Sequence, residues 1–299
     1  MKISVIIPVY NRCDELRMSL QSLTCQSLPV DSFEVCLADD GSAEDVCDLL
    51  DEFPTLNMKY ARQPDEGFRV AAARNLGADM AEGEYWVYND NGMMLRSNAL
   101  ERHIACHEKY GERLVALGNM HGTGWGVDEL RLREIIDTHA PDYDKVIDTM
   151  KEEDFVDGRT RYILDKFGYD IDSWYLPWMA LWSGHFSVNS AFVKKHGIRW
   201  SEQFRSWGGE DFEYGIQLCK AGATMQFCAD VEAVHYPTPG SKAVDPGDKE
   251  EFRRKYQVTK DTVLSLHPDS RQVQAWYELG GGANETELRE QLFKEKGWK

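Results

Sequence analysis

The sequence predicts an α/β fold with a mainly parallel central sheet flanked by helices, and two observations predict it. Short β-branched or aromatic runs alternate with helix-period segments through residues 1–95, the pattern of successive βαβ units. The loops that follow the strands carry Tyr10, Asp39-Asp40 and Asp90, and polar loops gathered at one edge of a parallel sheet form a ligand crevice.

Taken in order, residues 3–7 form a β-branched strand, and Pro8-Val9-Tyr10-Asn11-Arg12 follows as a loop. Residues 14–23 have helical periodicity through Leu16, Leu20 and Leu23. A second strand over 33–38 stops at Asp39-Asp40-Gly41-Ser42, where Ser42 is expected to cap a helix over 43–53 with an acidic first turn. A short strand over 58–61 and an alanine-rich helix over 69–80 come next. The run at 85–89 reads as a buried strand ending at Asp90-Asn91-Gly92, good turn chemistry that also places one carboxylate at a strand's carboxyl end. Residues 96–116 are expected to be helical; His103 and His107, four apart, have a metal-compatible spacing but no acidic partner, so they read as structural. Trp174, Trp178 and Trp182 would share one helix face and pack in the core, with a sugar-stacking platform as the alternative. Beyond residue 240, residues 241–248 read as a linker or lid, 249–260 as a charged helix whose Arg253, Arg254 and Lys255 are solvated, 280–283 as a flexible break, and 284–296 as a last amphipathic helix.

The 299 residues suffice for a full core, and the net charge of −17 argues against a nucleic-acid backbone or an anionic membrane as the main partner. Seven scattered cysteines without a Cys-x-x-Cys pair point to reduced thiols and a cytoplasmic protein. The apolar run at the start is too brief for a signal peptide, and no stretch has the length of an integral membrane segment.

Four fragments in order, Ser4-Val5-Ile6-Ile7-Pro8-Val9-Tyr10-Asn11, Ala38-Asp39-Asp40-Gly41-Ser42, Gly67-Phe68-Arg69 with Ala73-Arg74-Asn75-Leu76-Gly77, and Gly83-Glu84-Tyr85, resemble the family-2 glycosyltransferases. The resemblance implies a single GT-A (Rossmann-like) domain over 1–240, a nucleotide-binding half at 1–95, an acceptor-binding and catalytic half at 96–240, and a helical C-terminal extension at 241–299. It also implies a nucleotide-diphosphate sugar donor, a UDP-sugar first, and a carbohydrate or other hydroxyl-bearing acceptor. By the same resemblance Pro8 and Tyr10 lie against base and ribose, Asp40 accepts a hydrogen bond from the base while Asp39 orients the loop, and Arg69 and Arg74 contact the nucleotide or its phosphates.

Asp90 matches the first position of the family's Asp-x-Asp signature, Asn91 the middle, and Gly92 replaces the second aspartate. A second block, Trp207-Gly208-Gly209-Glu210-Asp211, is similar to galactosyltransferase-type and chondroitin-polymerase-type enzymes. That similarity implies inversion, with Asp211 as general base and Glu210 on the acceptor or the donor's sugar hydroxyls. His235 matches a histidine that coordinates the ion in metal-dependent relatives, so Mn²⁺ or Mg²⁺ at Asp90 and His235 is expected, with the arginines alone as the alternative. Residues 120–166 match nothing in the nucleotide half and are expected to supply helices on the acceptor side. Two rivals are a nucleotidyltransferase, which wants a Gly-rich phosphate loop where Pro8-Val9-Tyr10-Asn11 stands, and a non-catalytic nucleotide-sugar or glycan-binding protein.

Overall fold

Strands buried on both faces read as near-continuous apolar runs, and the first two strands do so apart from Asp39 at the end of the second and the buried pair Ser4 and Glu34, where Ser4 Oγ donates to Glu34 at 2.6 Å. The computed structural model describes residues 1–122, 128–155, 164–165, 168–174, 176–206, 208–237 and 249–278. Strands β1 (Ile3–Val9), β2 (Phe33–Asp39), β3 (Met58–Arg62) and β4 (Tyr85–Asn89) pair in parallel as β3-β2-β1-β4. Helices α1 (Cys13–Thr24), α2 (Cys47–Glu52) and α3 (Val70–Met80) cross between them. The other half adds β5 (Met93–Leu95), β6 (Leu114–His121), β7 (His185–Asn189) and β8 (Thr224–His235), giving the order β3-β2-β1-β4-β7-β6-β8-β5. There β7 runs antiparallel to β4 and β6, and β5 antiparallel to β8, so the sheet is parallel from β3 to β4 and mixed beyond it.

The order forces curvature. Four strand spacings separate β4 from β5, about 19 Å across a flat sheet. The chain from Asn89 to Met93 reaches at most about 14 Å, and Met93 N–H closes it further by bonding Asp90 O at 3.1 Å. The sheet therefore curls until β5 returns to the end of β4, with Asp90 in the corner.

Helices α4 (Ala99–Tyr110), α5 (Glu129–His139), α6 (Tyr143–Glu152), α7 (Ser190–His196), α8 (Glu210–Lys220), α9 (Lys249–Leu266) and α10 (Arg271–Glu278) complete the described elements. Leu16, Leu20 and Leu23 of α1, Leu49 of α2 and Leu100 of α4 cover one face of the sheet. Residues of α3, α8, α9 and α10 cover the other, where Val263, Val273 and Trp276 share one core with Ile6, Tyr88 and Tyr214. The described part of the C-terminal extension is thus built into the main core. Among the described residues no helix is long and apolar enough to cross a membrane.

Several local expectations change. Ser42 does not cap α2; its Oγ accepts the N–H of Asn11 at 2.7 Å, and the helix begins at Cys47. The helix expected over 96–116 stops at Tyr110, because Gly111 at φ 89° ends it and β6 begins at Leu114. The three tryptophans share no helix, because Leu176 precedes proline and leaves the α region, and Pro177 starts a single 3₁₀ turn over Pro177–Ala180. Trp178 is nonetheless core, edge-on to Trp276 at 5.6 Å. The linker at 241–248, the break at 280–283, the helix at 284–296 and Trp207 lie outside the described residues.

His103 and His107 are buried and hydrogen-bonded in a chain with one consistent set of protons. His185 Nδ1 donates to Asn89 Oδ1 (3.1 Å), His103 Nε2 to His185 Nε2 (3.3 Å), Ser187 Oγ to His103 Nδ1 (2.8 Å) and His107 Nε2 to Ser187 Oγ (2.8 Å). All three imidazoles are neutral in this scheme. Burial lowers the His185 pKa to about 3 and that of His107 to about 4, and lowers His103 with help from both neighbours. An unfolded histidine takes up its proton near pH 6.5, so between that pH and the folded pKa values the unfolded state binds more protons, and stability falls as pH falls. His107 alone contributes roughly 3 kcal/mol to this loss. Urea unfolding between pH 7 and pH 4 (about three units, spanning the window) will show stability dropping through that range, with a shallower slope for His107→Gln.

Candidate active site

The carboxyl ends of β2, β1 and β4 lie side by side, so their loops meet at one edge. Asn11 and Arg12 both have positive φ, 55° and 61°, a costly conformation that surrounding bonds hold in place. Asn11 Oδ1 accepts the N–H groups of Ala43 (2.8 Å) and Glu44 (3.3 Å), and the Glu44 carboxylate accepts those of Arg12 (3.0 Å) and Cys13 (2.8 Å). Asp39 Oδ1 accepts Gly41 and Ser42 N–H, while its other oxygen accepts from Tyr60 at 2.8 Å. Asp39 is 1 % exposed and orients this loop.

Pro8 lies near the end of β1, and Tyr10 follows with half of its surface exposed and its hydroxyl on Asp65 at 3.2 Å. Asp40 accepts from Gln63 Nε2 and from the Arg69 N–H at 2.9 Å. Burial pushes its carboxyl above the ordinary range, and these two donors oppose that shift. The Arg69 side chain reaches Glu66 at 3.0 Å, and its Nε is buried without a partner. Neither Gln63 nor Asp65 was singled out in sequence; a single polar residue after a short strand gives no signal.

Asp90 opens the next corner, its side chain 32 % exposed. Its N–H bonds Gly184 O at 2.9 Å, and its Oδ1 accepts Arg74 Nη2 at 2.9 Å. Asn91 turns toward the first loop, donating to the carbonyls of Asn11 and Arg12 at 3.3 Å each. Gly92 has φ 88°, and a Cβ built there would point at Glu15 Cβ, 3.4 Å away. The turn thus disfavours a side chain where the signature's second aspartate would stand.

The second block arrives from the other side. Gly208 and Gly209 have φ 95° and 96°, and α8 starts at once with Glu210, Asp211 and Glu213 in its first turn, where the helix dipole favours carboxylates. Asp211 is half-buried, and its Oδ1 accepts the Phe212 N–H at 2.8 Å. Glu210 is 5 % exposed; its Oε1 accepts Arg74 Nη1 at 3.2 Å and its Oε2 is buried without a partner.

Arg74 joins the two halves. Expected among the phosphate contacts, it is 2 % exposed and spans Asp90, Glu210 and Ser183 Oγ (2.8 Å), with its guanidinium 4.5 Å over the Trp200 ring. Burial opposes its charge, and the Asp90 and Glu210 carboxylates keep it protonated. Ser183 and Trp200 enter the site through this contact.

For a divalent ion, His235 stands in register with Met93 at the end of β8, and the Tyr236 N–H bonds Gly92 O at 2.8 Å. Asp90 and His235 therefore flank the same corner. Arg74 occupies one Asp90 oxygen, and the described residues hold no group of three His, Cys, Asp or Glu side chains around one point. A carboxylate and an imidazole are donor types that Mg²⁺ or Mn²⁺ takes together with ligand oxygens and water.

A family description, Glycosyl transferase family 2, matches residues 4–164, more than half of the chain, and the chain belongs to that family. Its fold is of the GT-A type. It is 28 % identical over 240 residues to validoxylamine A glucosyltransferase of Streptomyces hygroscopicus subsp. jinggangensis, a match covering 79 % of this chain and 56 % of that enzyme. It is also 28 % identical over 260 residues to the chondroitin synthase of Escherichia coli, covering 80 % of this chain and 35 % of the synthase. The chain thus spans about half, or less, of these two relatives. Among solved structures, S. aureus TarS residues 1–349 with UDP-GlcNAc aligns with TM-score 0.64 and 18 % identity over 98 % of this chain and 73 % of that one. The mannosyltransferase PcManGT of Pyrobaculum calidifontis, solved with GDP-Man and Mn²⁺, aligns with TM-score 0.54 and 14 % identity over 98 % of this chain and 69 % of that one.

The Gly92 geometry predicts that Gly92→Ala destabilises the fold by about 1–2 kcal/mol. Gly92→Asp will cost more, because its carboxylate projects toward Glu15, and the difference between the two will shrink in high salt. Denaturant midpoints of the three proteins, with and without added salt, check both statements.

Proposed function

We propose that this protein transfers a sugar from a nucleotide-diphosphate sugar, a UDP-sugar first among them, to an acceptor hydroxyl with inversion. The observation that carries the reading is Arg74, which ties Asp90 of the nucleotide half to Glu210 of the second half at 2.9 and 3.2 Å. Sequence blocks 136 residues apart thereby share one buried cation at the carboxyl edge of the sheet. The glucosyltransferase activity of the Streptomyces relative and the UDP-GlcNAc of the TarS structure support the donor class.

In this mechanism Asp40 accepts an N–H of the base, Pro8 and Tyr10 lie along base and ribose, and the Arg69 guanidinium faces the diphosphate. Asn91 holds the first loop against the Asp90 corner. Asp211 takes the proton of the acceptor hydroxyl, whose oxygen attacks the anomeric carbon from the face opposite the diphosphate. The new carbon–oxygen bond forms as the bond to the phosphate oxygen breaks, and its electron pair leaves with the diphosphate. The buried Glu210 Oε2 accepts a sugar hydroxyl. Arg74 holds Glu210 and Asp90 in place rather than reaching the donor itself. Mn²⁺ or Mg²⁺ held by Asp90 and His235 would supply positive charge to the leaving diphosphate. The alternative of binding without turnover has Gly92 in its favour.

Calorimetric titration of nucleotide diphosphates, with and without Mn²⁺, tests the donor half, and binding of one of them, UDP first, is expected. Failure of all of them to bind removes the reading. Asp211→Asn is expected to lose about 10²–10⁴-fold in kcat while keeping its UDP affinity. Unchanged turnover in that variant moves the base elsewhere, and UDP binding without turnover of any UDP-sugar across varied acceptors selects the binding-protein alternative.

A further inference from the structure

We infer that the helices after residue 248 belong to the catalytic apparatus, with His267 and Thr259 as positioning residues for the Glu210–Asp211 turn. The inference rests on the transferase reading for what the turn does, but its contacts stand independently of that reading.

Two glycines in the left-handed region precede Glu210, so nothing in the local backbone fixes where α8 begins. The clamp comes from α9. A Cβ built at Gly209 would lie only 2.2 Å from Thr259 Cγ2, so the Thr259 methyl rests directly against the Gly209 backbone. Thr259 Oγ1 also faces Gly208 O at 3.4 Å. Thr259 is 7 % exposed and cannot swing away without opening the core.

A second clamp holds the first turn of α8 from the end of α9. His267 Nε2 donates to Glu213 Oε1 at 2.9 Å, with both side chains buried. Lys220 Nζ stands 3.3 Å from His267 Nδ1, which fixes Nδ1 as the acceptor and Nε2 as the donor. Glu213 lies one residue past Phe212, and its N–H bonds Gly209 O at 3.0 Å, so the His267 contact holds the turn that carries Asp211. Trp276 of α10 completes the clamp, edge-on to Phe212 at 6.4 Å and to Trp178 at 5.6 Å. A helix whose first-turn acids must sit within hydrogen-bond reach of a substrate is thus located by residues about fifty positions later.

The test uses the full chain and three variants, His267→Ala, His267→Gln and Thr259→Ser, the last removing the methyl that rests on Gly209. Amide hydrogen exchange at residues 209–213 is expected to accelerate several-fold in His267→Ala and Thr259→Ser, while β2 and β4 keep wild-type protection. Turnover of whichever UDP-sugar the wild type uses is expected to fall by about 10²-fold in kcat for His267→Ala. UDP affinity and the donor KM stay within about twofold, on the order of 0.4 kcal/mol. His267→Gln, which keeps a donor, recovers most of the rate. Unchanged exchange at 209–213, or exchange rising equally in β2 and β4, overturns the inference, as does a wild-type kcat in His267→Ala. A wild type that binds no nucleotide diphosphate removes the transferase reading instead, and the exchange comparison then decides the clamp by itself.

Discussion

One buried cation organises the site. Arg74 is 2 % exposed, and taking a charge out of water costs several kcal/mol unless geometry and hydrogen bonds return it. Here the return comes from Asp90, Glu210, Ser183 and the face of Trp200. These come from four places in the chain: the corner after β4, the start of α8, the approach to β7 and the segment after α7. Moving any one of them weakens the compensation of that buried charge. The two halves of the sheet are therefore held in one relative placement by electrostatics as well as by packing. The carboxylates differ in consequence, since Glu210 is sealed in with Arg74 while Asp90 keeps a third of its side chain open.

The edge formed by the loops after β1 and β2 is set by a different device. Asn11 and Arg12 lie in the left-handed region, which most side chains avoid, and four hydrogen bonds from Asn11 and Glu44 hold the loops after β1 and β2 against each other. Asp39 locks its own loop from inside, which frees Asp40 to face the crevice. A rigid pair of loops is what a planar base requires, because its contacts then form without ordering flexible chain.

Periodicity and turn residues made β1, β2, β4, α1 and α3 readable, since each is a local pattern of apolar spacing. The ends of strands also placed Tyr10, Asp40 and Asp90 at one edge before any coordinates. What sequence could not give is partnership at long range. The resemblance assigns Arg74 to the nucleotide or its phosphates, and only the folded chain shows the two carboxylates around it; the His267 contact with Glu213 crosses 54 residues with no pattern linking them. Ser42 illustrates the competition between neighbours: it has the right chemistry for a cap, and Asn11 claims its hydroxyl instead. The tryptophans at 174, 178 and 182 have helical spacing, and Pro177 breaks the helix that spacing assumes. The histidine chain was half visible, because His103 and His107 share a helix face, while Asn89, His185 and Ser187 become their partners only when β7 pairs with β4.

The charge balance of the site bears on how an anionic donor could be held under the proposed function. The chain carries a net −17, so a diphosphate approaches against the overall field. Arg74 is already committed to two carboxylates, and Arg69, paired with Glu66, offers less than the two charges of a diphosphate. Asp90 and His235 flanking one corner then make sense together. A carboxylate with one oxygen held by Arg74 repels a bare diphosphate, yet beside an imidazole at the end of β8 it suits a divalent cation that brings the diphosphate with it. The loss of an aspartate at Gly92 works in the same direction, because another fixed negative charge beside Glu15 would deepen the repulsion. On this argument the donor's affinity follows the cation, and the arginine that sequence assigned to the phosphates serves to keep the acids where the cation and the acceptor need them.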